Sequence, residues 1–242
     1  MSIILTKKKK AVEPVKLAEN PFEQLKMMMA PPENAEREKN HIYFYTDVSQ
    51  ETCLDLSRKI NDLSKDLLKL SIDYDIPSPK IYLHINTLGG DLLSAFGVVD
   101  VIKQARVPVV SIIEGQNASA GTIISMVCQE RYMTENSFML IHQLSTGIYG
   151  KYEEIKDDFE NDTKFMERLY KLYRENTTMN DKKVKEVLSH DRWWTADECI
   201  SNGLVDGVWK GNKGVIDNKK CDKYENEDED MPRSSKKQRR RL

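Results

Sequence analysis

Long apolar runs are missing from this chain. No stretch of its 242 residues approaches the about 20 consecutive apolar positions of a membrane span, so no membrane-spanning helix is expected. A charge excess is missing too. The 37 Lys and Arg against 39 Asp and Glu leave a formal net charge of -2, which gives no general pull toward nucleic acid. Cysteine is sparse. Cys53, Cys128, Cys199 and Cys221 are dispersed without metal-ligand spacing and read as reduced thiols of a reducing, cytoplasmic compartment. No metal site is expected. Lys7 to Lys10 are followed by no apolar core, so a secretory leader is not expected. No G-x-G-x-x-G follows a strand, which removes the dinucleotide fingerprint. Histidine is limited to His41, His84, His142 and His190, and that narrows the search for a catalytic base.

Three zones are present. Residues 1–40 mix Lys, Glu and Pro with Met27-Met28-Met29 and read as a mobile segment. Residues 41–211 alternate strand and helix patterns and read as one α/β domain. A strand is expected over 41–48 and an amphipathic helix over 50–70. A second helix is expected over 91–104, apolar at Leu92, Ala95, Phe96, Val99 and Ile102. Residues 212–242 carry an acidic block and then a basic one, with too little apolar surface to fold. Their closing Lys236-Lys237-Gln238-Arg239-Arg240-Arg241 is like a nuclear-localisation or nucleic-acid patch, but the preceding acidic run partly neutralises it. It reads as a solvated tail, and nucleic acid is not an expected partner.

The chemistry begins at Gly115-Gln116-Asn117-Ala118-Ser119-Ala120-Gly121, directly after the β-branched run 107–113. A buried strand that breaks into small residues around one serine predicts a tight turn and a helix start. Such a turn lifts a hydroxyl clear of bulky neighbours and aims backbone N–H groups beside it. Alone, this pattern is an ordinary close-packing device. A serine nucleophile needs an adjacent base.

His142 is the candidate base, at the end of the short apolar strand Phe138-Met139-Leu140-Ile141. The competing reading is a satisfied core histidine. His84 lies inside the strand 81–85, on the face opposite Leu83 and Ile85, and reads as paired to a neighbour. Asp191 stands beside Trp193 and Trp194, which suggests a partly buried carboxylate, although a solvated turn aspartate has the same local pattern. Thr195 and Glu198 form a capping-box pattern, so Asp197 and Glu198 are first-turn helix acids. Asn86-Thr87-Leu88-Gly89-Gly90-Asp91 follows a strand directly. The Gly pair there permits positive φ or a close backbone approach. The N–H groups of Gly89 and Ala120 are candidate oxyanion donors.

Together these pieces resemble the proteolytic subunit of the Clp ATP-dependent protease, over residues 41–210. Residues 81–90 are similar to the family's strand plus Asn-Ser-Pro-Gly-Gly. Residues 115–121 resemble its Gly-x-Ala-Ala-Ser-Met-Gly turn, and Met139 to Gln143 its Met-Ile-His-Gln-Pro segment. Residues 190–199 resemble its Arg-Asp segment, and Asn202 to Asp206 its closing Tyr-Gly-Leu-Val-Asp. Four positions depart from the pattern. Leu144 stands for proline, Thr87-Leu88 for Ser-Pro, Asn117 for alanine and Ala120 for methionine.

The resemblance implies an α/β fold of the ClpP and crotonase type, built from repeated β-β-α units with a protruding handle helix. It implies Ser119 as nucleophile, His142 as base, Asp191 as orienting acid, and Gly89 and Ala120 as the oxyanion donors. Gly90, Asp91 and Leu144 are expected to bind substrate. No cofactor is implied. The expected activity is hydrolysis of unfolded polypeptides inside two stacked heptameric rings of this chain, fed by an AAA+ unfoldase. The stripe Ile155, Phe159, Met166, Leu169, Tyr170 and Tyr173 could pack on the chain's own core; the resemblance implies instead that it belongs to the handle helix, which packs on the opposing ring. Residues 147–150 would form the strand between the rings that also lines the substrate groove. The alternatives are a non-catalytic ring subunit, a phage-type capsid-maturation peptidase and a crotonase-fold acyl-CoA enzyme.

Overall fold

The structure, a computed structural model, describes residues 36–211 and 215–216. The N-terminal segment, the charged tail and Cys221 lie outside the described residues. In chain order the described elements are β1 (Glu36–Glu38), β2 (His41–Phe44), α1 (Gln50–Tyr74), β3 (Ile81–Thr87), α2 (Leu92–Gln104), β4 (Val109–Ala118) and α3 (Ala120–Met126). There follow β5 (Glu130–Met133), β6 (Phe138–Ile141), α4 (Tyr152–Asn176), α5 (Asp181–Leu188), β7 (Arg192–Trp194), α6 (Ala196–Ser201), β8 (Gly207–Trp209) and β9 (Val215–Ile216).

One sheet runs β1-β2-β3-β4-β5-β8-β9, with β6 leaving it to pair with β4 and β7. Its central pairings, from β2 through β8, are parallel. Parallel sheets are covered on both faces and read as continuous apolar runs. Accordingly Val109, Val110, Ile112 and Ile113 of β4 are all buried. On one face Ile42, Phe44, Leu83, Ile85 and Ile113 join the helices in the main core. The other face carries a row of rings, with His41 stacked on Tyr82, Tyr43 on His84, and Trp209 against both Tyr82 and Tyr132. His84 bears out its expected pairing. Its Nε2 lies 2.9 Å from His41 Nδ1, and its Nδ1 lies 3.1 Å from Glu114.

The helices form where pattern and caps agree. Ser49 and Thr52 make a reciprocal capping box at the start of α1. Cys53, Leu56, Ile60, Leu63 and Leu67 then fall at three- and four-residue spacing and are buried. Each such aliphatic side chain contributes about 1.5–3 kcal/mol by leaving water. Asp91 caps α2 by accepting the Ser94 N–H at 2.7 Å. The expected Thr195–Glu198 box caps α6.

Three features differ from the sequence reading. β4 does not end at Ile113. It kinks at Gly115 (φ +72) and continues to Ala118, so the break into a turn falls on Ser119 alone. The register shift between Ile85 and Thr87 of β3 marks that irregularity. It lets one strand pair first with β5 and then with β6. Strands β1 and β9 extend the sheet beyond the expected span 41–211. Residues 147–150 form no strand here, because no neighbouring backbone in the described chain pairs with them.

No described helix is long and apolar enough to cross a membrane. Cys53, Cys128 and Cys199 are buried free thiols, and burial pushes them up to about 11, about 12 and about 12. They stay protonated and behave as core residues.

Candidate active site

Three parallel strands deliver the candidate residues to one place at their carboxyl ends, where open α/β sheets form their crevices. Ser119 follows β4 directly, His142 follows β6, and Gly89-Gly90 follow β3. Register does the rest. Ala118 pairs with Leu140, so Ser119 and His142 leave neighbouring strands side by side. Strands β6 and β7 are antiparallel, with Ile141 opposite Arg192. One further step along that ladder brings His142 against Asp191.

Ser119 sits at φ 54, ψ -123, a backbone region that β-carbon sterics disfavour. Such strain costs of the order of 1–3 kcal/mol and persists only when the surroundings over-determine it. They do so here. The Ser119 N–H donates to Leu140 O at 2.9 Å, while its carbonyl accepts from Thr122 N at 3.0 Å and from Thr122 Oγ1 at 2.7 Å. The Ser119 hydroxyl makes no capping bond to α3. Helix α3 is buried throughout and held from behind as well. Asn117 Nδ2 donates to Ser125 Oγ (2.9 Å), which donates to Thr122 O (3.0 Å). Asn117, one of the departures from the family pattern, therefore serves the helix behind the serine rather than the cleft.

The Gly pair is a close-approach device. Gly89 has φ +93, and a β-carbon there would lie 2.6 Å from Ser119 Cβ and 2.7 Å from Ala118 O. Gly90 has φ +145, and a β-carbon there would fall 2.1 Å from Val48 O. Val48 clamps the loop from both sides, donating its N–H to Gly89 O and accepting from Asp91 N, each at 2.8 Å. The Gly89 N–H donates to Thr87 Oγ1 at 3.1 Å.

Ser119, Ala120, His142, Gly90 and Leu144 line one cleft of about 160 Å³ with Ile123, Leu169 and Tyr173. Asp91 does not line it, since its carboxylate is spent on the helix cap. His142 Nδ1 and Asp191 Oδ1 stand 4.0 Å apart, beyond hydrogen-bond length. The Asp191 side chain is 81% exposed, against 19% for His142. The expected partial burial of Asp191 is not found, because Trp194 turns into the core while Trp193 faces out. Sequence reading also missed the third wall of the cleft. Leu169 and Tyr173 of α4 complete it, and Leu144 N–H points at Met166 Sδ at 3.2 Å. That N–H exists only because leucine stands where the family pattern has proline. The helical spacing of these α4 residues was visible, but the side they pack against was not.

A strained serine elbow, an imidazole in the same cleft and a carboxylate at the adjoining ladder position are the groups that acyl transfer through a serine requires. A family model described as Clp protease matches residues 36–212. The chain is 34% identical over 137 residues to the ATP-dependent Clp protease proteolytic subunit 2 of Treponema denticola, a match covering 56% of this chain and 68% of that protein. It is 31% identical over 151 residues to the proteolytic subunit 1 of Chlamydia caviae, covering 61% and 78%. Its fold is similar to that of a ClpP1 point mutant from Listeria monocytogenes, with a TM-score of 0.63 and 21% identity over 72% of this chain and 94% of that one. The chain belongs to the Clp protease family and has the ClpP-type fold.

Proposed function

We propose that this chain is the proteolytic subunit of a Clp-type machine, a serine endopeptidase whose triad is Ser119, His142 and Asp191. The observation that carries the reading is the shared cleft of Ser119 and His142 at the ends of β4 and β6. His142 takes the hydroxyl proton as Ser119 Oγ attacks the scissile carbonyl. Asp191 holds the imidazole tautomer and balances the imidazolium. The Gly89 and Ala120 N–H groups donate to the oxyanion. A charged oxygen is a stronger acceptor than the Thr87 hydroxyl now paired with Gly89, so it draws that N–H away. Water then releases the acyl-enzyme. Gly90 and Leu144 flank the bound peptide. No step needs a metal or organic cofactor.

The 4.0 Å spacing sets the size of the Asp191 effect. Solvent competes for an exposed carboxylate, so Asp191→Asn is expected to lower kcat about 10- to 1000-fold with KM little changed. That is less than the roughly 10⁴ lost with a buried orienting aspartate. Steady-state kinetics on a short fluorogenic peptide decide it. Unchanged kinetics for Asp191→Asn, with loss for Asp197→Asn, would move the assignment to Asp197.

The working form is a ring assembly of this chain, two stacked heptamers, that takes unfolded polypeptide from an AAA+ partner in the cytoplasm. What supports assembly is the outer half of α4, where Tyr152, Ile155 and Phe159 are exposed. The inner half of the expected stripe belongs to the chain's own core: Leu169 and Tyr173 are buried in it, and Met166 and Tyr170 pack against it. Phe159→Glu is therefore the clean probe. It is expected to split the assembly into smaller species in native mass spectrometry while leaving the melting temperature of the subunit unchanged. An unaltered oligomer would remove α4 from the contact.

A further inference from the structure

Helix α4 reaches the nucleophile through a path that the acyl-transfer scheme does not use. Tyr173 is 1% exposed, yet its ring ends in a hydroxyl that must find a partner. That partner is Thr122 Oγ1, 2.6 Å from Tyr173 Oη. Thr122 Oγ1 lies in turn 2.7 Å from the Ser119 carbonyl and donates to it. A hydroxyl has a single hydrogen, so a threonine that donates to Ser119 can only accept from Tyr173. Burial holds the Tyr173 phenol well above its ordinary range, so the proton stays on it. The direction is fixed: Tyr173 O–H to Thr122, and Thr122 O–H to the carbonyl of Ser119. Hydroxyls aligned in this way polarise one another, and the last bond is stronger for the first.

We propose that Tyr173 is a positioning residue, which holds Ser119 in its strained φ 54 geometry through Thr122. The proposal rests on the reading of Ser119 as the nucleophile. The other anchors of Ser119, Leu140 O on the neighbouring strand β6 and Thr122 N in α3, are backbone contacts. The Tyr173 path is different in kind. It connects the serine to a separate helix, whose outer half carries the exposed Tyr152, Ile155 and Phe159. A shift of α4 away from or toward α3 lengthens or shortens the Tyr173–Thr122 bond first. The Thr122 bond to the Ser119 carbonyl then weakens or strengthens, and the Oγ attached to that backbone moves with it. Tyr173 also lines the cleft through its ring, so its hydroxyl and its ring have separable roles.

Tyr173→Phe keeps the ring and removes only the hydroxyl. In the assembled full-length protein it is expected to lower kcat on a short fluorogenic peptide about three- to tenfold, the worth of one hydrogen bond. KM should be unchanged, because the ring that touches substrate remains. The rate of inactivation by a fluorophosphonate should fall by the same factor. Thr122→Val should match or exceed that loss, and Thr122→Ser, which keeps the hydroxyl, should restore most of it. In the Thr122→Val background, Tyr173→Phe should cause no further loss. Wild-type kcat for Tyr173→Phe overturns the proposal, as does a change confined to KM. Should Tyr173→Phe fail to assemble, the Thr122→Val and Thr122→Ser pair decides, and equal kcat for the two overturns it. Ser119→Ala measured alongside separates the two levels. If it retains activity, the nucleophile assignment fails. If it is inactive while Tyr173→Phe is unimpaired, only the relay fails.

Discussion

Ser119→Ala is expected to abolish peptide hydrolysis while leaving the fold and the assembly intact. Loss of the nucleophile from a serine triad costs about 10⁶ in kcat, and the residual rate comes from the oxyanion donors and binding. The effect should be this large because the position is built for its hydroxyl. A serine at φ 54 is strained, and alanine tolerates that backbone no worse than serine does. The backbone bonds to Leu140 O and Thr122 N survive the change, and the side chain makes no capping bond to lose. The variant should therefore melt within a degree or two of the parent. Peptide cleavage at near wild-type rate by Ser119→Ala would refute the mechanism outright.

Gly89→Ala is expected to cost about as much as losing an oxyanion donor, about 10²–10³ in kcat. The new β-carbon would lie 2.6 Å from Ser119 Cβ and 2.7 Å from Ala118 O, at a φ of +93 that L-residues rarely adopt. Neither contact can be relieved by rotating a flexible side chain, since one partner is backbone and the other is the β-carbon of Ser119. The loop must move away from Ser119, and its N–H moves with it. Gly97→Ala in α2 is the control. Nothing lies within 4 Å of a β-carbon there, and alanine in a helix interior stabilises by about 0.5–1 kcal/mol over glycine. Kinetics and melting curves of the two variants should diverge sharply. Equal activity would show that Gly89 lies away from the chemistry.

The parts of this molecule legible in its sequence are those that local pattern determines. The face of α1, the Thr195 cap and the positive φ at Gly89 and Gly90 all follow from short-range sterics and periodicity. Ser119 and His142 were legible for a related reason, since each sits where an apolar strand stops. Asp191 was placed in sequence but not in environment. Two neighbouring tryptophans suggested burial, yet alternation along β7 turns Trp194 inward and leaves Trp193 and Asp191 exposed. The continuation of β4 through Gly115 was hidden because glycine reads as a break, and only pairing with β6 overrides that preference. The α4 wall of the cleft and the Tyr173–Thr122–Ser119 path were illegible for a third reason. Helical spacing shows that a stripe exists and is silent on whether it meets the chain's own core or a partner.

The most direct test of the account is intact-mass and peptide mapping of the full-length protein after reaction with a fluorophosphonate probe. The account predicts one probe per subunit, attached to Ser119 and absent from Ser119→Ala, with labelling and peptidase activity lost in parallel. No adduct in a preparation that cleaves peptides, or an adduct on another serine, would contradict it.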